Sequence, residues 1–212
     1  MPTPGKRWRF VTIGTHNAWK PGDIRGWRSR NHKRHSSGDY RNPPPKEEHA
    51  GLRKWVNDQS GDPITVPTRL RQIIGQHIII ALRELGHEVL AMSVSGRHSH
   101  ILVELPDDLR VMKAIIGEAK RASSRAVRDE MPGTIWAAGG DFDPVDSPPH
   151  ARGGVNDILT KQGPWAWTWH FREPIPQVKL MAKLKQSVNV RPATRGGARP
   201  GSKGASPRSA PA

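Results

Sequence analysis

No cysteine occurs anywhere in the 212-residue chain. Disulfides and thiolate metal sites are therefore excluded. Tyrosine is nearly absent: Tyr40 stands alone beside eight tryptophans. Acidic residues are few, 19 against 34 lysines and arginines. Hydrophobic residues make up 34% of the chain, below the usual share, so part of it is expected to lack a packed core. No apolar run approaches the length of a membrane span, and the N-terminus shows no signal-peptide core. These absences predict a cytoplasmic protein with no membrane partner.

What is present is positive charge. The formal net charge is +15 and the pI is near 11.0. Such a balance favours polyanions, above all nucleic acid, through phosphate contacts and counterion release, and predicts association with the nucleoid. A basic, merely soluble surface is the plain alternative. The length suits one ordinary domain with tails, or two small ones.

The stretch Ser93-Val94-Ser95-Gly96-Arg97-His98-Ser99-His100-Ile101-Leu102-Val103-Glu104-Leu105 reads as two strands meeting at Gly96. Alternate side chains of a strand share a face, so His98 and His100 project together, about 7 Å apart. That spacing lets two imidazoles converge on one metal ion or one phosphate. Leu102 continues their face, while Ile101, Val103 and Leu105 line the other. Two rim histidines without a ligand would satisfy the same pattern.

Residues 8–15 read as a first strand. Residues 17–66 form a basic Trp/Pro/Gly-rich insertion, in which cations alternate with Trp19 and Trp27 in a manner suited to phosphate contact and base stacking. A solvated basic loop is the competing reading. Residues 67–85 have apolar groups at helical spacing, ended by Gly86; His77 on that stripe is expected in the core. A strand over 88–94 leads into the histidine strand. Pro106-Asp107-Asp108 then caps a helix from 109 to about 130. A short strand is predicted over 133–136, a loop to Pro149, and a helix over 150–162. The aromatic run 164–171 suggests a segment covering the sheet or a stacking surface. Residues 173–186 read as an extension and 187–212, which contain no acid, as a disordered basic tail. The element order predicts an α+β fold, a ferredoxin-like antiparallel sheet with helices on one face.

Over residues 8–172 this order resembles the single-tyrosine HUH transposases, which include the REP-associated tyrosine transposases and insertion-sequence relatives. Trp19-Lys20-Pro21-Gly22-Asp23-Ile24-Arg25-Gly26-Trp27 is similar to the family's W-L-P-G-D-x-R-G-W loop. Ser93 to His100 is similar to its S-V-S-G-x-H-x-H strand. Gly117-Glu118-Ala119-Lys120 is similar to its G-x-A-K helix. Ile158-Leu159 and Gly163-Pro164-Trp165-Ala166-Trp167-Thr168-Trp169 are similar to its last helix and aromatic end.

The resemblance implies a protein that binds single-stranded or hairpin DNA and nicks and rejoins it by metal-assisted phosphoryl transfer through a tyrosine, without ATP. It implies Mg²⁺ or Mn²⁺ on His98 and His100 and a homodimer. Arg25, Trp27, Arg28, Arg97 and Lys120 are the expected DNA contacts. Two positions depart from the pattern. Ser99 stands where the family has a bulky apolar residue, and Asp157 stands in place of the tyrosine. Lys161 occupies the place of a polar third metal ligand, and its neighbour Gln162 is the candidate for that role. The alternatives are a catalytically inactive DNA-binding or regulatory relative and a basic RNA-binding accessory protein.

Overall fold

Along β1 (Lys6–Gly14), Val11 and Ile13 turn to one side and Trp8 and Phe10 to the other. β3 (His98–Pro106) repeats the alternation, with Ile101, Val103 and Leu105 against Leu102. A strand with apolar groups on both faces must sit inside a sheet covered on both sides. β3 does so, flanked by β1 and by β2 (Val89–Val94). The computed structural model describes residues 2–27, 35–38 and 41–174. With β4 (Asp141–Pro144) and β5 (Trp167–His170), five strands lie in the order β4-β1-β3-β2-β5, every pair antiparallel.

Four helices join them: α1 (Ala50–Ser60), α2 (Thr68–Glu84), α3 (Leu109–Ala126) and α4 (Pro148–Thr160). The core run β1-α2-β2-β3-α3-β4 has the ferredoxin-like order, so the α+β expectation holds. α2 and α3 share one face of the sheet, as expected, and pack Leu70, Ile74, Ile78, Met112 and Ile116 onto it. α4 lies on the opposite face, where Ile158 meets Ala91, Leu102 and Val145, with Phe10 packed alongside. Fully burying each of these large side chains stabilises by about 1.5–3 kcal/mol.

Elsewhere the elements depart from expectation. The predicted strand over 133–136 contributes one isolated bridge, Thr15 with Trp136. The strand pairing with β1 is instead β4, drawn from the expected loop. The aromatic run supplies the edge strand β5. α1 rises from the insertion and buries no side chain. Tyr40, Arg28 and the tail over 187–212 lie outside the described residues. Among the described residues, no helix is long and apolar enough to cross a membrane.

Candidate metal centre

The register places the histidines. Even-numbered residues of β3 face α4, so His98 and His100 emerge on that side, where the helix end leaves the sheet uncovered. Across the strands, Thr12 of β1 stands opposite His100 on one side and Ser93 of β2 on the other. Gly14 stands opposite His98. The two imidazole centroids are 4.9 Å apart, with an interplanar angle of 60°. The histidine pair is therefore convergent.

The turn after α4 brings a third donor. Gln162 Oε1 lies 3.4 Å from His98 Nε2, while Gln162 Nε2 donates to the Asp157 carbonyl at 3.0 Å. That second bond turns the amide oxygen towards the histidine. Two atoms that bind one metal at about 2.1 Å each sit roughly 3 Å apart, so the pair is spaced as neighbouring ligands would be. On the other ring, Thr12 Oγ1 is 3.0 Å from His100 Nδ1. When Nδ1–H donates to that hydroxyl, the tautomer leaves the Nε2 lone pair free. Burial, with the neighbouring His98, pushes the His100 pKa down to about 4, which keeps the ring neutral at physiological pH.

Two imidazole nitrogens and an amide oxygen bind a metal as neutral ligands. A divalent ion held by them would keep its whole charge and its open positions, a combination that suits phosphate oxygens. No group of three His, Asp or Glu residues converges anywhere among the described residues, this corner included, so the third donor here is an amide. The donor chemistry and spacing fit a divalent cation.

Asp157 sits one helical turn before Lys161, and its Oδ1 is 2.7 Å from Lys161 Nζ. Among the described residues, that carboxylate makes no hydrogen bond to either histidine. Its backbone carbonyl holds Gln162. Asp157 therefore positions Gln162 through its main chain, while its side chain pairs with Lys161.

The expected nucleic-acid contacts divide. Arg97 is exposed beside His98, with Nε 3.4 Å from Thr65 Oγ1. Arg25 is bound within its own loop: it makes two bonds to Asp23, at 2.8 and 2.6 Å, and one to the Ala18 carbonyl at 2.8 Å. It also stacks 4.2 Å over Trp19. Trp27 is buried, its backbone N–H bonded to Ser36 Oγ and its ring edge-on to His49, so it organises the insertion from inside. Trp19, 55% exposed, is the outward-facing tryptophan of that loop. Lys120 is buried and donates to the carbonyls of Ala137 and Gly139. Burial lowers its pKa to about 8.

One partner carries no sequence signal, and one position noted in the sequence is buried. Thr12 becomes a partner of His100 only through the β1–β3 register. Ser99 is fully buried among apolar residues, and its hydroxyl has no partner among the described residues.

No protein-family model matches this sequence, and no curated protein matches it. Among solved structures, one titled "Structure of the REP associates tyrosine transposase bound to a REP hairpin" is similar over 76% of this chain and 68% of that chain, at 15% identity and a TM-score of 0.40.

Proposed function

We propose that the chain is a transposase-like protein that binds single-stranded or hairpin DNA at a divalent-metal corner made by His98, His100 and Gln162. The observation that carries this reading is the 3.4 Å approach of Gln162 Oε1 to His98 Nε2, beside a second imidazole 4.9 Å away. The bound ion would polarise a phosphate oxygen of the backbone and orient the phosphorus. His98 and His100 would supply imidazole nitrogens. Thr12 fixes the His100 tautomer, and the Asp157 carbonyl fixes the Gln162 amide. Arg97 places a cation next to the same phosphate. Of the two ions expected, the nitrogen-rich set favours Mn²⁺, because Mg²⁺ takes oxygen ligands and gives up water reluctantly.

The engagement of the Asp157 carboxylate by Lys161 supports binding without strand cleavage. A phosphotyrosine intermediate needs a phenol at this place, and the chain carries a carboxylate there. The reading is therefore a metal-dependent DNA-binding member of this structural type, with cleavage through Asp157 as the competing outcome.

Labelled hairpin DNA with a single-stranded flank, incubated with Mn²⁺, tests both. The expected result is Mn²⁺-dependent binding that His98→Ala abolishes, no covalent adduct with the native chain, and an adduct with Asp157→Tyr. An adduct formed by the native chain and lost in Asp157→Asn would establish cleavage instead. Binding that EDTA and His98→Ala leave unchanged would remove the metal corner from the account.

A further inference from the structure

α3 carries a second basic surface, away from the histidine face. Lys120, Arg121, Ser124, Arg125 and Arg128 line one wall of a cavity of about 490 Å³, and residues 133–137, with Trp136, line the other. No acid lines it. Arg121 and Arg125 lie one turn apart near the end of α3, and Arg128 follows in the turn after it, so the three span about 10 Å. A nucleic-acid strand presents a phosphate for every ~3.4 Å of axis, so the arginines span about three of them. All three arginines are exposed. Glu118 engages Arg121 at 2.6 Å and Arg125 at 3.3 Å, which holds both guanidinium groups at the groove. Arg128 has no side-chain partner among the described residues. Trp136 is 7% exposed, with Nε1 bonded to Ser123 Oγ at 3.0 Å, so its ring is pinned and offers no stacking platform.

The groove stands at the histidine end of the sheet. Ala137 N donates to the Gly14 carbonyl, and Gly14 is the register partner of His98. Two strand spacings, about 10 Å, therefore separate the groove wall from the histidine backbone.

We propose that Arg121, Arg125 and Arg128 form a track for the phosphodiester backbone of DNA whose scissile region lies at His98 and His100. This rests on the reading of the histidine corner as a DNA site. The track is a set of phosphate-binding cations without a stacking platform, because its one aromatic ring is buried. Binding through it is independent of sequence and depends on salt.

The test uses the full chain and a fluorescein-labelled DNA hairpin with a single-stranded flank, with anisotropy read from 50 to 300 mM NaCl. Arg125→Gln/Arg128→Gln is expected to weaken binding about tenfold near 0.1 M salt and to lower the slope of log K against log salt by about 1.4–1.8. It is expected to leave Mn²⁺ binding, followed by calorimetry, unchanged. Lys46→Gln/Lys54→Gln, which removes the same charge from two exposed positions in the insertion, is expected to change both DNA values less. An unchanged affinity and slope in the arginine variant, while the native chain binds the hairpin, would overturn the track and leave the histidine reading standing. An equal loss in the lysine variant would also overturn it, as a net-charge effect. Absence of hairpin binding by the native chain at every salt concentration would overturn both.

Discussion

At the residue scale, the most heavily invested polar group outside the metal corner is Glu104. Its side chain is 2% exposed. Its carboxylate accepts from Thr3 N at 2.7 Å, Thr3 Oγ1 at 2.9 Å, Lys6 Nζ at 3.1 Å and Glu88 N at 3.4 Å. Burial alone would raise its pKa, but these donors outweigh burial and hold it down at about 2, below the ordinary 4.5. A depressed carboxyl pKa contributes stability that is fully present above the unfolded value. That stability is lost as pH falls through the folded one, here between about 4.5 and 2. Glu104→Gln removes the charge and turns an N–H₂ towards donors. It is expected to cost about 2–3 kcal/mol at pH 7. The gap from the native chain should close as pH drops below 4.5, read as the difference between two thermal-unfolding curves. A gap that stays constant from pH 7 to pH 3 would show that the carboxylate charge is not what those donors stabilise. The same scale explains why Thr12 escapes a reading of the sequence. A threonine in a strand has many uses, and only the register that sets it opposite His100 gives it this one. Gln162 could be singled out because it lies beside a position that a known pattern marks. Trp27 is buried although its loop interleaves cations with aromatics; that composition looks the same on a surface and in the interior of a loop.

At the element scale, the packing of β5 on α2 turns on one glycine. A Cβ at Gly75 would fall onto the indole of Trp167, with Cη2 at 2.9 Å and two further ring atoms closer still. Alanine in a helix interior is worth about 1 kcal/mol over glycine in propensity. Overpacking against a ring typically costs 1–3 kcal/mol. The clash wins, because Trp167 belongs to a strand paired with β2 and cannot retreat without opening that ladder. Gly75→Ala is therefore expected to destabilise by about 1–2 kcal/mol and to shift tryptophan fluorescence. A more stable variant would mean that the edge strand gives way freely. Elements with a strong period were the legible ones. α2 and α3 carry apolar stripes, β2 and β3 alternate around Gly96, and all four stand close to where the pattern places them. α1 buries nothing, so its sequence has no face to reveal. β4 reads Asp-Phe-Asp-Pro, poor strand residues by propensity, and owes its form to backbone pairing with β1. Its acids and proline also blunt a sheet edge that would otherwise invite a further strand. The Gly133–Trp136 stretch has strand-like composition, yet β4 takes the length of β1, and the earlier segment keeps only the bridge at Thr15.

At the scale of the whole molecule, the charge is distributed between a folded part with local basic sites and a C-terminal stretch without acids. Residues 187–212 contain Arg191, Arg195, Arg199, Lys203 and Arg208 and no aspartate or glutamate, a third of the formal net charge of +15. Under the proposed function, these cations would add phosphate contacts whose contribution is counterion release. The proposed histidine corner would differ, because metal–ligand contacts vary little with ionic strength. The two contributions can therefore be separated by salt. Deleting 187–212 is expected to weaken hairpin binding most at 50 mM NaCl and to lower the salt slope by up to about 3.5 for a single-stranded site, at ~0.7 per neutralised phosphate. The truncated and full chains should then converge as salt rises, while their Mn²⁺ requirement stays the same. If truncation weakened binding by one factor at every salt concentration, residues 187–212 would be making specific contacts, and their counterion-release role would be rejected.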